Sequence, residues 1–424
     1  MQMFHPKPRT TITIMLDGIV DVSDYLPIID SPNFQRLKGV RQLDMAWVTF
    51  PGATHSRFEH SIGTMAKFNK MFMYRDSPNT DMNNDEKEMV KVAALLHDTP
   101  HTALAHLAGY IEQAITGKTH DDRLGDTLKQ YYEDPLEECG FSVKDIQKVI
   151  DPKNPMREII WDTTGVDKTD YIQRDLHHIG FPAPNIDPIL AYTFFFKNRG
   201  LCIDKKNTTN VTNFIGSYCT AYKEVYWRKS CLTAQTMMRR GVWDAIQNGT
   251  LSLEQMREMR DWEVYSTLSK SEGRSRYLLE RILLRKLYKT AISFKIQDHA
   301  DIEKSDGKDL TVVEVPEEQA DKFLVESKDL KRIIELEYDL SRELGTDVII
   351  STTPEAARLK PKDPKVYSPG NEEIQKLSDI NPDFLEYQTK MPRYVWSTRV
   401  IVPEKDRKRI SENPQPVIRR LLFN

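Results

Sequence analysis

Residues 91–101 read Lys-Val-Ala-Ala-Leu-Leu-His-Asp-Thr-Pro-His, an apolar run that ends abruptly in His97 and Asp98. Pro100 lacks a backbone N–H and disfavours helical geometry in the residue before it, so a helix is predicted to end or kink near Thr99. This ending places an imidazole and a carboxylate together at the end of a buried helix. A buried carboxylate is costly without hydrogen-bond partners or a cation, so the pair requires one or the other.

Two residues of the same chemistry occur in other predicted helices, His60 upstream and Asp167 downstream. A single His-Asp dipeptide is more typical of a packed helix end, but the four residues form a set of two imidazoles and two carboxylates. That mixture favours iron, manganese, zinc or magnesium, whereas a closed structural zinc site more often contains cysteine. Four protein ligands leave positions on an octahedral ion for water and substrate, and such an ion acidifies water and polarises a phosphoryl oxygen.

Histidine and cationic side chains flank these four residues in the sequence. His101, His106 and His120 are candidates to donate a proton to a leaving oxygen. Arg57 and Lys168 are candidates to neutralise phosphate charge. Taken singly, each residue fits an ordinary surface or helix-end role. Taken as a set, they predict metal-dependent hydrolysis of a phosphate ester.

The bulk properties exclude few classes of protein. The chain has 424 residues, 39% hydrophobic content and a formal net charge of −3, so nothing global demands nucleic acid or a membrane. No apolar run of about 18 residues predicts a membrane span. The first eight residues lack the basic-then-apolar pattern of a signal peptide. The four cysteines contain no Cys-x-x-Cys pair, which predicts reduced thiols and a cytoplasmic protein.

The order of predicted elements indicates a mainly α protein, with a helical core and a smaller α/β lobe at the C-terminus. We divide the chain into a lead-in at residues 1–19, a helical domain at 20–290 and an α/β lobe at 291–424. The lead-in has β character before a turn at Asp17-Gly18. Beyond residue 290, β-branched residues mark strands at 309–315 and 346–351.

Several local features are predicted from capping and periodicity. They are Ser31 as the N-cap of a helix continuing over Asn33–Leu43, a capping box of Asp85 and Glu88, Gly180 as a helix stop, one charged helix over Pro316–Leu344, and a strand over Arg393–Val402.

Helical spacing also predicts which side chains share a face. Arg57, His60 and Lys67 fall near one face, which predicts that they enter one cavity. Asp167, Lys168, Tyr171 and Asp175 are predicted to share one side of a later helix, and Tyr218, Tyr222, Tyr226 and Trp227 form an aromatic stripe that we interpret first as packing.

With these residues in view, the chain resembles a known family. The pattern His60 … His97-Asp98 … Asp167 is that of the HD-domain phosphohydrolases. The surrounding segments resemble more closely the catalytic core of the sterile-alpha-motif-and-HD-domain deoxynucleoside triphosphate triphosphohydrolases, over roughly residues 20–290. They are residues 29–38, Gln42-Leu43, 50–63 and 166–180. No sterile-alpha-motif domain is expected within this sequence.

The resemblance implies a reaction in which a dNTP and water give a deoxynucleoside and intact triphosphate, with dGTP among the substrates. Water bound to the metal would attack the α-phosphorus, and the 5′ oxygen would leave. The resemblance implies that the metal is bound by His60, His97, Asp98 and Asp167. It implies that the α-phosphate is contacted, and a proton donated, by His101, His106 and His120, and that other phosphate contacts come from Arg57 and Lys168. On the sugar side it implies 3′-hydroxyl contacts from Gln42 and Asp175, crowding of the 2′ carbon by Leu43 and Tyr171, and a position beside the base or sugar for Tyr226. Residues equivalent to Asp30, Gln35, Arg36 and Lys38 contribute to a regulatory nucleotide site in the family.

The sequence departs from the family pattern at several positions. An acid expected a few residues after His106 is absent, since the chain reads His-Leu-Ala-Gly there, and Asp121 beside His120 is the candidate replacement. Tyr218 stands where an arginine is expected, and Lys38 replaces another arginine of the regulatory site. The N-terminal part of that regulatory site has no counterpart in residues 14–18.

Two alternatives stay open at this point. One is an HD-superfamily hydrolase of another phosphoester, such as a nucleoside monophosphate, a signalling nucleotide or single-stranded nucleic acid. The near-neutral charge and the lack of a basic stripe argue mildly against nucleic acid. The other is a non-catalytic nucleotide sensor, although an unused buried ligand set would be costly to keep. The resemblance further implies a homodimer or homotetramer and an activating nucleotide.

Overall fold

The computed structural model describes residues 9–73, 80–297, 309–354 and 363–422. Of the predicted lead-in at residues 1–19, the first eight residues lie outside these ranges. The helices in the first two ranges are α1 Leu26–Ile29, α2 Pro32–Arg36, α3 Arg57–Met73, α4 Asn84–Leu96, α5 Ala105–Thr116, α6 His120–Tyr131, α7 Glu133–Glu138, α8 Val143–Ile150, α9 Arg157–Trp161, α10 Val166–His178, α11 Asp187–Ala191, α12 Thr208–Ala221, α13 Lys229–Gln247, α14 Leu253–Glu258, α15 Asp261–Lys270 and α16 Arg274–Leu283. The later helices are α17 Glu317–Glu326, α18 Leu330–Leu344, α19 Leu377–Ile380, α20 Pro382–Val395, α21 Arg407–Glu412 and α22 Gln415–Leu422.

The strands form three sheets in the described part of the chain. They are β1 Thr11–Ile14, β2 Gly18–Asp21, β3 Thr193–Phe196, β4 Gly200–Asp204, β5 Lys289–Ile296, β6 Thr311–Val315, β7 Ile349–Thr352, β8 Lys365–Ser368, β9 Glu373–Lys376 and β10 Thr398–Val402. β1 and β2 form a hairpin, and the two larger sheets have the orders β6-β5-β10-β7 and β3-β4-β8-β9. The fold is therefore mainly α, with a smaller α/β lobe at the C-terminus.

The helical core is organised around α3, which packs against both α4 and α10. Almost the whole length of α3 is buried, so polar side chains on this helix face protein rather than water. Apolar residues of all three helices belong to one large hydrophobic cluster that also includes α12. A second cluster joins α5 and α13 to the C-terminal lobe through Leu330, Ile349 and Ile401. Both clusters border the polar side chains predicted to act.

Several local predictions are confirmed. The β1–β2 turn places Gly18 at a φ of +69°, a conformation that glycine adopts at little cost. Ser31 accepts a hydrogen bond from the backbone N–H of Phe34 and caps α2. The helix α4 ends at Leu96, and α10 ends at His178 with Gly180 at a φ of +79° just beyond it.

Other local predictions were wrong. The helix after Ser31 stops at Arg36 and continues only as a 3₁₀ turn over Leu37–Gly39, because Val40 takes an extended conformation to reach Arg57. The capping box of α4 is formed by Asn83 and Glu86 instead of Asp85 and Glu88. Propensity alone could not resolve the two boxes, since each offers a short polar cap with an acid three residues later.

The C-terminal lobe also differs from the prediction in detail. The charged segment predicted as one helix is divided into α17 and α18, because Asp329 caps a new helix start. The strand predicted over Arg393–Val402 begins later than expected, since residues 393–395 end α20 and Thr398–Val402 pairs in the sheet. β8 pairs parallel to β4, so one sheet takes strands from both sides of the predicted domain boundary at residue 290.

No helix in the described part of the chain is long and apolar enough to cross a membrane. All four cysteines are free thiols, as the sequence predicts, and three of them are buried.

Candidate active site

Three separate segments bring their metal-binding atoms together. His60 lies in the first turns of α3, His97 caps the end of α4, and Asp167 lies at the start of α10. The Nε2 atoms of His60 and His97 are 3.2 Å apart. The Oδ1 atom of Asp167 is 3.2 Å from the first and 3.4 Å from the second. Ligand atoms about 3 Å apart suit adjacent positions on an octahedral ion with bonds of about 2.1 Å.

Asp98 lies beside this set. Its carboxylate oxygens are 3.7 Å from Nε2 of His60 and 3.6 Å from Nε2 of His97. It also accepts a 2.5 Å hydrogen bond from Arg57, so one carboxylate is shared between the candidate metal position and a guanidinium. The geometry thus groups His60, His97 and Asp167 most tightly, with Asp98 as a fourth, slightly more distant donor.

The electrostatics of these residues favour a cation. Burial opposes a charge on His60, but hydrogen bonds to Asp167 and Asp170 raise the pKa of its imidazole to about 10. Burial alone would raise the pKa of Asp98 and Asp167. Nearby positive groups nevertheless hold both pKa values below the usual range, chiefly Arg57 for Asp98 and His60 for Asp167. Two ionised carboxylates at one buried point stabilise positive charge, so the residues present fit a divalent ion.

Outer partners orient the two imidazoles. The Nδ1 atom of His60 is 2.8 Å from Oδ2 of Asp170, and Nδ1 of His97 is 2.7 Å from the carbonyl oxygen of Ala94. These contacts fix the tautomers that leave both Nε2 atoms available as ligands, an arrangement typical of metal-binding histidines. Asp170 lies within the segment 166–180 that resembles the family, but only the structure shows that it orients His60.

Asp170 belongs to a buried ionic network. Arg174, fully buried, donates to both oxygens of Asp170, to Asp17 at 2.9 Å and to Glu59 at 2.7 Å. Lys67 donates to Asp17 at 2.6 Å. The prediction that Lys67 shares a cavity with Arg57 and His60 was therefore wrong, because this lysine neutralises a carboxylate of the β1–β2 turn.

A cavity of about 330 Å³ opens beside the candidate metal position. Its predicted lining residues are Gln42, Leu43, Arg57, His60, His97, Asp98, His101, His106, His120, Asp121, Asp167, Tyr171, Asp175 and Tyr226. Lys168 is not among them: its ammonium donates to the carbonyl oxygens of Trp161 and Asp162. The phosphate contact of Lys168 stays a prediction, and these hydrogen bonds to backbone carbonyl oxygens do not support it.

Arg57 is the cation placed best for a phosphate group. Its side chain is 1% exposed and lines the cavity. One terminal nitrogen binds Asp98, while Nε and the other terminal nitrogen have no hydrogen-bond partner in the described residues. Buried donors without partners are unfavourable, so they favour a ligand that supplies acceptor oxygens.

The imidazole rings of three histidines pack together on the other side of Asp98. His101 stacks on His120 with ring centroids 4.0 Å apart and meets His106 edge-on at 5.0 Å. Nε2 of His101 is 3.3 Å from Asp98. Burial, together with the charge of Arg57, lowers the pKa of His101 well below the usual value and also lowers that of His120. Asp121 is 3.4 Å from Nε2 of His120 and is thus positioned to replace the missing acid after His106.

The opposite wall carries the residues predicted to contact a sugar. Asp175 is held between Nε2 of His55, at 2.7 Å, and the hydroxyl of Tyr226, at 2.5 Å. The aromatic stripe contributes more than the one residue expected, since Tyr222 and Trp227 also line the cavity. A π-helical turn over Tyr222–Tyr226 changes the direction in which these aromatic side chains leave the backbone. Regular α-helical spacing could not predict that change.

Several lining residues were missed by sequence reasoning. They include Asp44, Tyr110, Trp161, Gln235, Arg239, Thr352 and Pro354. Thr352 and Pro354 come from the C-terminal lobe, far in sequence from the motifs. The guanidinium of Arg239 lies 4.8 Å from the ring centroid of Tyr110. Nothing in its local sequence separates it from the neighbouring Arg240, which instead forms a buried pair with Glu337.

Asp44 is a buried carboxylic acid at this wall. Its side chain accepts hydrogen bonds from the backbone N–H groups of His106 and Leu107 at the start of α5, and its Oδ1 has no partner in the described residues. Burial raises its pKa to about 8, against a smaller opposing effect of Arg57. Asp44 therefore stays protonated at neutral pH and supports the turn that carries His106.

Replacing Asp44 with asparagine is expected to stabilise the fold by about 2 kcal/mol at pH 8, because each pKa unit corresponds to about 1.4 kcal/mol and the buried amide retains part of the desolvation cost. Between pH 4 and 8 the unfolded chain loses this proton while the folded chain keeps it, so the wild type loses stability as pH rises. Urea unfolding at pH 4 and 8 checks this, with Asp383→Asn on the surface as the control. An equal effect at both pH values would contradict the titration of Asp44.

The four residues of the predicted regulatory site are divided between two environments. Asp30 and Lys38 are exposed, and Lys38 donates to Gln35 at 2.6 Å. Arg36 is buried and donates instead to the carbonyl oxygens of His101 and Met259. The regulatory role of this group stays a prediction.

Comparisons with known proteins agree with the fold. A family model described as an HD associated region matches residues 190–330. The chain is 29% identical over 393 residues to an uncharacterized protein of Methanocaldococcus jannaschii. The alignment covers 92% of this chain and 78% of that protein. It is 26% identical over 313 residues to the deoxynucleoside triphosphate triphosphohydrolase SAMHD1 homolog of Dictyostelium discoideum, covering 67% of this chain and 60% of the relative.

The alignment with human deoxynucleoside triphosphate triphosphohydrolase SAMHD1 has 28% identity and covers 47% of this chain and 37% of that protein. The chain thus spans well under two thirds of the triphosphohydrolases it matches. Among solved structures, a phosphohydrolase from Bacteroides thetaiotaomicron has a TM-score of 0.70 at 18% identity, covering 93% of this chain and all of the other. A hypothetical protein from Aquifex aeolicus has a TM-score of 0.69 at 22% identity, covering 96% and 99%. The core of this chain resembles the catalytic core of the HD-domain deoxynucleoside triphosphate triphosphohydrolases, and its homologues support an HD-superfamily phosphohydrolase.

Proposed function

We propose that this protein hydrolyses dNTPs to deoxynucleosides and inorganic triphosphate, with a divalent ion held by His60, His97, Asp98 and Asp167. Such an ion supplies Lewis-acid charge and activates water for attack on phosphorus. The similarity to deoxynucleoside triphosphate triphosphohydrolases supports the substrate class. The identity of the ion among iron, manganese, magnesium and zinc is left to elemental analysis of freshly purified protein.

One observation carries this proposal. The unpartnered donors of Arg57 lie in the same cavity as the buried donor set. A phosphate group satisfies both features together, because its oxygens accept from a guanidinium and bind hard or borderline cations. An uncharged substrate would leave the buried guanidinium donors without partners, at a cost of about 1–3 kcal/mol per group.

The histidine cluster would handle the leaving group. His101 is neutral at pH 7, since its pKa lies well below the usual value, and it lies within reach of Asp98 for orientation. The pKa of His120 is also lowered. We assign proton donation to the 5′ oxygen to this cluster of His101, His106 and His120, with Asp44 supporting the helix start at His106 and Asp121 orienting His120.

The sugar wall would select deoxyribose. Asp175 and Gln42, which line the cavity, would bind the 3′-hydroxyl, and Leu43 and Tyr171 would crowd the 2′ carbon. A ribose 2′-hydroxyl against this wall would lose its water without gaining a partner, which costs about 1–3 kcal/mol.

We therefore expect dGTP to be hydrolysed with a kcat/KM roughly 10- to 100-fold above that of GTP. Replacing Leu43 and Tyr171 together with alanine should reduce this ratio several-fold by admitting water beside the 2′ carbon. Parallel rate measurements on both nucleotides check this, with Leu284→Ala on the surface as the control. Comparable wild-type rates on GTP and dGTP would refute the assignment of this wall.

The reaction is tested by product identification. Pure protein is incubated with each dNTP and Mn²⁺, and the products are separated by ion chromatography. Tripolyphosphate and deoxynucleoside in equal amounts support the proposal. Release of only pyrophosphate or monophosphate excludes it, and turnover of nucleoside monophosphates or oligonucleotides with dNTPs untouched would assign the site to another phosphoester.

Other parts of the prediction are proposals that rest on the resemblance. They are the domain boundaries near residues 20 and 290, a homodimer or homotetramer, activation by a nucleotide, and a cytoplasmic location. Light scattering of the purified protein with and without dGTP tests assembly and activation together.

A further inference from the structure

A second cavity, of about 420 Å³, lies behind the turn that carries His101. Its lining includes Arg36, Thr99, Pro100, Arg123 and Arg257, and none of the lining residues described for it belongs to the active-site cavity. Asp30, Gln35 and Lys38 of the predicted regulatory group do not line it either. Arg36 is the member of that group that does line it, so the cavity is separate from the active site and shares one residue with the predicted regulatory group.

Among the residues that line this second cavity, cationic side chains outnumber carboxylates. Arg36, Lys118, Arg123 and Arg257 line it, against the single carboxylate of Asp126. Two further acids lie close by. Glu112 forms ion pairs of 2.8 Å with both Arg123 and Arg257, and Glu258 accepts from Tyr131, a lining residue. A third, Asp261, acts on Arg36, and Lys118 pairs with Asp126 at 3.7 Å, so four carboxylates lie near the four cations.

Several guanidinium donors in the cavity lack acceptors. Arg36 is 3% exposed, and its Nε has no hydrogen-bond partner in the described residues. The Nε of Arg257 is also buried without one. Burial lowers the pKa of both Arg36 and Arg123, which shows that their charges are poorly solvated. Cations in this condition are stabilised by an anion that brings its own acceptor oxygens.

Arg36 and Arg123 also donate hydrogen bonds to the backbone turn that carries His101. Arg36 donates to the carbonyl oxygen of His101 at 2.7 Å, and Arg123 donates to the carbonyl oxygen of Pro100 at 2.6 Å. A ligand that shifts either guanidinium also shifts the backbone on which the His101 ring depends. A ligand in this cavity would therefore contact the side chains that support the His101 backbone.

We propose that this cavity binds a phosphate-bearing anion, through Arg36, Lys118, Arg123 and Arg257, on the far side of the turn from the active site. Its volume exceeds that of a single phosphate group, and the guanidiniums offer the paired donors that phosphate oxygens accept. Free polyphosphate and the phosphate tail of a nucleotide share this chemistry. Binding does not depend on the reaction proposed above.

Calorimetric titration of the whole protein with sodium tripolyphosphate, orthophosphate or dGTP tests the proposal. Tripolyphosphate is expected to bind at two sites in the wild type. In Lys118→Gln/Arg257→Gln one site should weaken at least tenfold, whereas Arg57→Ala should weaken the other. Lys129→Gln, an exposed change on the same helix as Arg123, should leave both sites unchanged. Tighter binding of tripolyphosphate than of dGTP at the second site assigns it to free polyphosphate, and the reverse assigns it to a nucleotide.

Two results would overturn the proposal. One is a double variant that titrates like the wild type, and the other is loss of all binding in Arg57→Ala. If Arg257→Gln disturbs the pair with Glu112 and prevents folding, Lys118→Gln alone serves, since that side chain is 59% exposed. It should still weaken the second site about threefold relative to Lys129→Gln, and no difference between the two variants would count against the site.

Discussion

Replacing Asp167 with asparagine is expected to lower kcat/KM for dGTP by about 1,000-fold or more. Asparagine keeps the shape of the side chain but removes the charge that faces both Nε2 atoms, at 3.2 Å and 3.4 Å. A carboxylate ligand supplies several kcal/mol to a bound divalent ion, and about 1.4 kcal/mol corresponds to a tenfold change in rate. Metal content measured by mass spectrometry should fall along with the rate.

His177→Asn is the matched control, because His177 lies on the same helix as Asp167 but is exposed and outside the cavity. Its rate should stay within twofold of the wild type. If Asp167→Asn retains more than a tenth of the activity, Asp167 does not hold the ion. If it loses activity but keeps full metal content, the residue acts on the substrate instead.

Replacing Arg174 with leucine is expected to destabilise the fold by about 3–5 kcal/mol. The guanidinium is fully buried and holds Asp170, Asp17 and Glu59, so its removal leaves buried carboxylates without their main cation. Urea unfolding monitored by circular dichroism measures the loss. Asp170 also orients His60, so metal affinity should weaken by roughly 10- to 100-fold in protein that remains folded.

The control for this prediction is Arg276→Leu. Its partner, Glu280, lies one turn away on an exposed helix face, and such surface pairs contribute about 0–1 kcal/mol. A loss below about 1 kcal/mol in Arg174→Leu would show that water or Lys67 compensates the stranded carboxylates. The ionic network would then be a minor part of the stability of the core.

The sequence predicted the chemistry of the site more fully than its geometry. His60, His97, Asp98 and Asp167 were identified because imidazoles and carboxylates within helical, largely apolar segments are costly to bury unless they bind a cation. Similar reasoning identified Ser31, Gly18 and Gly180, since caps and left-handed turns depend on local backbone geometry. Element boundaries that depend on distant contacts were less predictable, as at Val40, where pairing with residue 57 ends a helix.

The amino-acid sequence by itself determined the mainly helical class, the ends of α4 and α10, and the candidate set of imidazoles and carboxylates for a metal ion. These follow from periodicity, capping and ligand chemistry, which are local properties of the chain. Only the tertiary structure decided which charges are available to a substrate. Lys67 and Lys168 turn away to Asp17 and to backbone carbonyls, while Arg57 keeps donors for a ligand and Asp44 becomes a buried acid. The physical reason is that desolvation and pairing depend on which elements pack together, and helical spacing contains no information about the partner across the interface.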